Sequence, residues 1–161
     1  MDRDEDLPLD PDVEVDDTRT PRPRPVHLRP ACIGLVFAGG TLGTLARHLL
    51  SLVIPAWGGM PVPTFVINVT GAFLLGWLLR ALTHRGPDHG ARRAVRLFAG
   101  TGFLGGYTTY SAFALDVDGL IASSDVGAAV LYGLATVVVG AAAGFGGLAL
   151  GFMLPRRRGA A

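Results

Sequence analysis

The 161-residue sequence contains no lysine and a single cysteine, Cys32. One cysteine excludes an intrachain disulfide framework and a multi-cysteine metal site. At the start of an apolar stretch it reads as a small packing residue. The four histidines, at 27, 48, 84 and 89, have no tight metal-ligand spacing. Charge is scarce where the chain is longest: residues 31–155 hold six Arg and four Asp. A soluble segment of that length has about a quarter of its residues charged, roughly thirty. This one cannot cover itself with polar surface, which argues against a soluble globular enzyme and makes lipid its natural solvent. The net charge of +1 gives no reason to expect nucleic-acid binding.

Most of the remaining charge lies at the ends. Residues 1–30 hold five Arg and nine acids, first acidic and then alternating Pro and Arg. With too few apolar residues for a core, this tail is expected to be disordered and to lie in the cytoplasm. Its acidic start and missing apolar core exclude a secretory signal. From 31 to 158 the composition predicts one all-α membrane domain. Crossing about 30 Å of hydrocarbon takes about 20 apolar residues, and four stretches qualify, at about 31–54, 63–82, 95–115 and 126–154. They are separated by a Pro/Gly connection (Pro55 to Pro63), a basic loop (HRGPDHGARR) and an acidic loop (DVDGLIASSD).

Orientation follows from where the arginines fall. Five precede the first span, Arg85, Arg92 and Arg93 lie between the second and third, and Arg156, Arg157 and Arg158 follow the fourth. The other two loops have none. Four spans place every basic segment on one side, so both termini are expected in the cytoplasm and the chain in the plasma membrane.

Gly39/Gly43, Gly71/Gly76 and Gly140/Gly144 put small residues about one turn apart, which lets helices approach closely in lipid. The polar residues inside the spans are more specific. No carboxylate is expected in the central part of any span, although a proton-coupled exporter normally uses one. Arg47 either snorkels outward or forms an anion-attracting vestibule. Asn68 either makes an interhelical hydrogen bond or offers its amide N–H to an anion; left unbonded it would cost several kcal/mol. In GTGFLGGYTTYSAF (100–113) the pair Gly105-Gly106 followed by Thr108-Thr109 is poor helix material, so a break is expected in the third span. Unwound carbonyls there can coordinate a cation. Tyr110 and Phe113 are three apart on one face, and the positive edges of aromatic rings attract small anions.

GGTLGTLARHLL (39–50), PTFVINVTGAFLLG (63–76) and GTGFLGGYTTYSAF (100–113), in this order within four spans, resemble the Fluc/CrcB family of fluoride channels. The resemblance covers residues 34–154. It implies four transmembrane helices with a break in the third, assembled as an antiparallel (dual-topology) dimer with two fluoride pores and a structural sodium (Na+) at the centre. It assigns the backbone carbonyls of Gly105 and Thr108 to sodium. Asn68, Thr109 and Arg47 belong to the fluoride pathway, and Tyr110 and Phe113 take the two aromatic positions lining the pores. The expected activity is passive export of cytoplasmic fluoride.

Three departures from the family pattern stand out. Tyr110 occupies a position that is usually Phe, Asp116 one that is often Glu, and Tyr132 and Thr136 offer only a short polar pair in the fourth span. The arginine bias is also strong for a subunit that must insert both ways. This leaves a homodimer, or a heterodimer with an oppositely inserted homologous subunit. The alternatives are a non-conducting or heterodimer-only subunit and a small four-helix proton-coupled exporter.

Overall fold

The computed structural model describes residues 28–84 and 89–153. The N-terminal tail up to residue 27, the middle of the basic loop and the triple arginine lie outside the described residues. The described chain is all helical apart from one tight hairpin turn. Helix α1 (Pro30–Val53) starts with Pro in its first turn, where a missing N–H costs nothing. It ends as Ile54 turns to extended backbone before Pro55. Trp57 and Met60 pair across Gly58 and Gly59, whose φ of 57° and 80° are those of a tight type I′ turn. Helix α2 (Val62–Thr83) again carries Pro in its first turn. Helix α6 (Val126–Phe152) is capped by Asp125, whose Oδ1 accepts from Ala128 N at 2.9 Å. Such a cap contributes about 1 kcal/mol.

These three helices match the first, second and fourth expected spans within two residues, and each is long and apolar enough to cross a membrane. The stretch between α2 and α6 differs from a single helix over 95–115. It comprises α3 (Ala91–Val95), a nine-residue π-helix (Arg96–Leu104), the short α4 (Gly105–Tyr107) and, beyond a break at Thr108 and Thr109, α5 (Tyr110–Ala122). The expected break is present, but Gly105 and Gly106 stay helical and the two threonines make it. The acidic loop is also shorter than expected. Val117, Leu120 and Ile121 continue the apolar pattern, so Asp116 and Asp118 lie on α5 and the connection shrinks to Ser123–Asp125.

Two backbone-to-backbone contacts hold the helices together. Helix α1 lies on the π-helix: a Cβ at Gly39 would run into Phe98 O, and one at Gly43 into Phe103 O. Helix α2 lies on α6 in the same way, with Gly76 against Gly144 O and Gly147 against Phe73 O. In lipid, where apolar burial does not drive helices together, this close approach is the main source of packing attraction. Of the expected glycine pairs, Gly39/Gly43 and Gly76 act so; Gly140 has open space around it. The small core between the pairs is Ile67, Leu104 and Tyr107. Tyr107 stacks on Phe103 and places its hydroxyl 3.0 Å from that of Thr70.

Candidate functional site

The site is built around the break. Thr108 (φ −75°, ψ 157°) and Thr109 (φ −149°, ψ 124°) are extended, which takes backbone groups out of the helical ladder. In an apolar medium each such group must be bonded elsewhere. Asn68 of α2 supplies the partner: its Nδ2 donates to Thr109 O (2.9 Å) and its Oδ1 accepts from Thr109 N (2.8 Å). The side-chain amide thereby acts as the peptide of a neighbouring strand would. Thr109 Oγ1 accepts from Ala112 N at 3.2 Å, capping α5. Thr108 sends both its N–H and its hydroxyl to Leu104 O, at 3.0 and 2.9 Å.

These bonds divert two helical donors. In an unbroken α-helix Thr109 N would bond Gly105 O, and Ala112 N would bond Thr108 O. Here the first goes to Asn68 and the second to Thr109 Oγ1. The break takes the carbonyls of residues 105–108 out of the ladder, among them those of Gly105 and Thr108, the two residues expected to face a cation. Gly106 O, between them in sequence, accepts from Thr44 Oγ1 at 3.4 Å. Among the described residues no group of three or more His, Cys, Asp or Glu can hold a metal ion. Carbonyls outside a helical ladder can coordinate a hard cation.

Two cavities flank the break. One, of about 420 Å³, is lined by Thr44, Arg47, His48 and Ser51 of α1, Thr64 and Ile67 of α2, and Thr109, Ser111, Ala112 and Leu115. The other, of about 390 Å³, is lined by Asn68, Thr108, Thr109, Tyr110, Phe113 and Thr136 among others. Thr109 lines both. The structure thus brings Asn68, Thr108, Thr109, Tyr110 and Phe113 to one cavity and places Arg47 in the other; Gly105 lines neither. Of the two readings of Asn68, the structure displays the interhelical bond, and the second N–H of its amide group remains for another acceptor.

Tyr110 is 81% exposed, on the outer face of the chain. Its ring lies 6.0 Å from that of Phe113, which lies 5.7 Å from that of Tyr132. Tyr132 donates to Asp116 Oδ2 at 3.1 Å. The hydroxyl of Thr136 bonds back to Tyr132 O of its own helix at 2.8 Å. Apart from Thr109, the hydroxyls of the first cavity are absent from the sequence-based site. Their signal was the spacing of Thr44, His48 and Ser51, at i, i+4 and i+7 on α1.

The family model for CrcB-like proteins (Camphor Resistance, CrcB) matches residues 34–148. A protein of Leifsonia xyli subsp. xyli named fluoride-specific ion channel FluC 2 is 61% identical over 135 residues, 84% of this chain and 93% of that protein. Fluoride-specific ion channel FluC 1 of Cutibacterium acnes is 47% identical over 117 residues, 72% of this chain and 79% of that protein. Fluoride-specific ion channel FluC 2 of Nitrobacter hamburgensis is 42% identical over 118 residues, 72% of this chain and 93% of that protein.

Proposed function

This chain belongs to the CrcB family of multi-pass membrane proteins, and we propose that it is a fluoride-specific channel, not an enzyme, that lets cytoplasmic fluoride out passively. The observation that carries this reading is the meeting of two carboxylate-free cavities at Thr109, one with a cation and hydroxyls, the other with an amide and aromatic rings. Hydroxyls and amide N–H groups replace part of an anion's hydration. Ring edges attract it without holding it so tightly that it cannot leave. The driving force needs no coupling. Neutral HF enters through lipid and dissociates in a less acidic cytoplasm, and the trapped anion leaves with the inside-negative potential, worth about 2.3 kcal/mol per charge per 100 mV.

In the full proposal the chain crosses the membrane four times. The α3-to-α5 stretch forms the broken third crossing, and both termini are cytoplasmic. An oppositely inserted subunit supplies the wall that faces Tyr110 and completes two pores per dimer. Gly105 and Thr108 would hold a structural sodium through their carbonyls, and their diversion from the helical ladder supports that fit. Sodium would supply fixed positive charge at the centre of the assembly.

A second reading rests on the arginines. Every loop arginine falls on one side of the proposed topology, which disfavours insertion in both directions. On that reading the chain conducts only when paired with a homologous subunit of opposite orientation, or serves as a non-conducting partner. Fluoride efflux from liposomes, with the chain alone and with such a partner, separates these readings. Efflux from the chain alone establishes a self-sufficient channel, and efflux only with the partner establishes the heterodimer. No efflux in either case overturns the channel reading. Proton-coupled uptake instead would identify an exporter.

A further inference from the structure

Helix α1 presents more to the first cavity than Arg47. Thr44, His48 and Ser51 follow each other at i, i+4 and i+7, which aligns them as one stripe, and Arg47 stands beside that stripe. His48 is exposed and lines the cavity with Arg47. The other walls are neutral: Thr64 and Ile67 from α2, and Thr109, Ser111, Ala112 and Leu115 from the break and α5. The acid next in sequence to Leu115 is Asp116, whose carboxylate accepts from Tyr132. Helix α5 carries Asp116 and Asp118, and α6 carries Tyr132 with Asp125 as its cap; none of these four lines the cavity. An arginine side chain does not lose its proton in proteins, whereas histidine ordinarily changes charge within the physiological range.

We propose that His48 is a second anion-binding residue of the Arg47 vestibule, and that its protonation raises fluoride occupancy of the vestibule, and therefore flux, as pH falls. The inference rests on the channel reading. A second positive charge about 4 Å from an anion in water-like surroundings is worth up to about a fivefold change in occupancy. In the proposed orientation this vestibule opens outward. An acid exterior is the condition under which HF enters fastest, so the vestibule charges up when the fluoride load is greatest.

The test is fluoride efflux from liposomes containing the full chain (with its partner subunit if required), at matched pH inside and outside. Measurements run from about pH 8 to about pH 5.5, the range in which histidine titrates, and the HF leak of protein-free liposomes is subtracted. The wild type is expected to gain about two- to fivefold in flux across this range. His48→Gln should flatten the profile at the low level and His48→Arg at the high level. His89→Gln, in the loop, should leave the profile unchanged. Efflux that is independent of pH, or a rise that persists in both His48 variants, overturns the role of His48 while leaving the channel intact. If His48→Gln does not fold, the flat profile of His48→Arg alone decides. Absence of efflux at every pH overturns the underlying channel reading instead.

Discussion

On one side of Thr109 the cavity walls carry Arg47, His48 and five hydroxyl side chains; on the other they carry Asn68, two aromatic rings and mostly aliphatic surface. The first region can handle an anion with charge and near-water hydrogen bonding. The second must do so in an environment close to lipid, where a formal countercharge would be expensive and a trapped ion would stay trapped. Full charge at the mouth and partial charge within is the division expected of a path that must admit an ion and also release it. Four substitutions break or sharpen this division.

The largest effect is expected at the boundary. Asn68→Asp removes the donor to Thr109 O and adds a like charge beside the anion's path. A repulsion of about 4 kcal/mol at 4 Å and intermediate dielectric should abolish measurable efflux; unchanged efflux would remove Asn68 from the pathway. Thr109→Val takes the shared hydroxyl from both cavities and the cap from α5. With about 1–2 kcal/mol at stake, flux should fall roughly tenfold, and α5 should gain faster amide hydrogen exchange at its first turn.

Smaller effects test each region separately. Arg47→Gln should lower flux about fivefold at low salt and leave little difference at high salt, because a mouth charge acts through a screened field. A loss that does not depend on salt would mean Arg47 acts within the path and the mouth–interior distinction fails. Tyr110→Phe should raise flux only about twofold, the factor for about 0.5 kcal/mol of weak hydrogen bonding released. A fall instead would show that the hydroxyl substitutes for lost hydration.

Long apolar runs marked α1, α2 and α6 in the sequence because lipid imposes a length that composition alone can meet. The break was legible over the segment from Gly105 to Thr109, and the structure narrows it. Gly106 is held in helical form against the backbone of Gly40, and the interruption falls on Thr108 and Thr109. Only a partner 41 positions away, Asn68, makes extended backbone cheap there, and no local propensity reports a partner that distant. Asp116 opens the acidic stretch DVDGLIASSD in the sequence, yet it lies on α5 in the structure. The tyrosine that receives it on α6 lies 16 residues on and gives no sequence signal of that role. The Thr44, His48 and Ser51 spacing was visible, but it mimics ordinary helix decoration until the cavity shows which way it points.

The pair of hydrogen bonds between the Asn68 amide and the Thr109 backbone also bears on how the protein should respond to heat. An interruption whose edges are already bonded has no fold to undo before an ion passes, so it behaves as a window frame and not as a hinged door. Fluoride efflux should then rise with temperature no more steeply than ion diffusion in water. A much steeper dependence, measured by efflux at several temperatures, would mean that this frame has to open first.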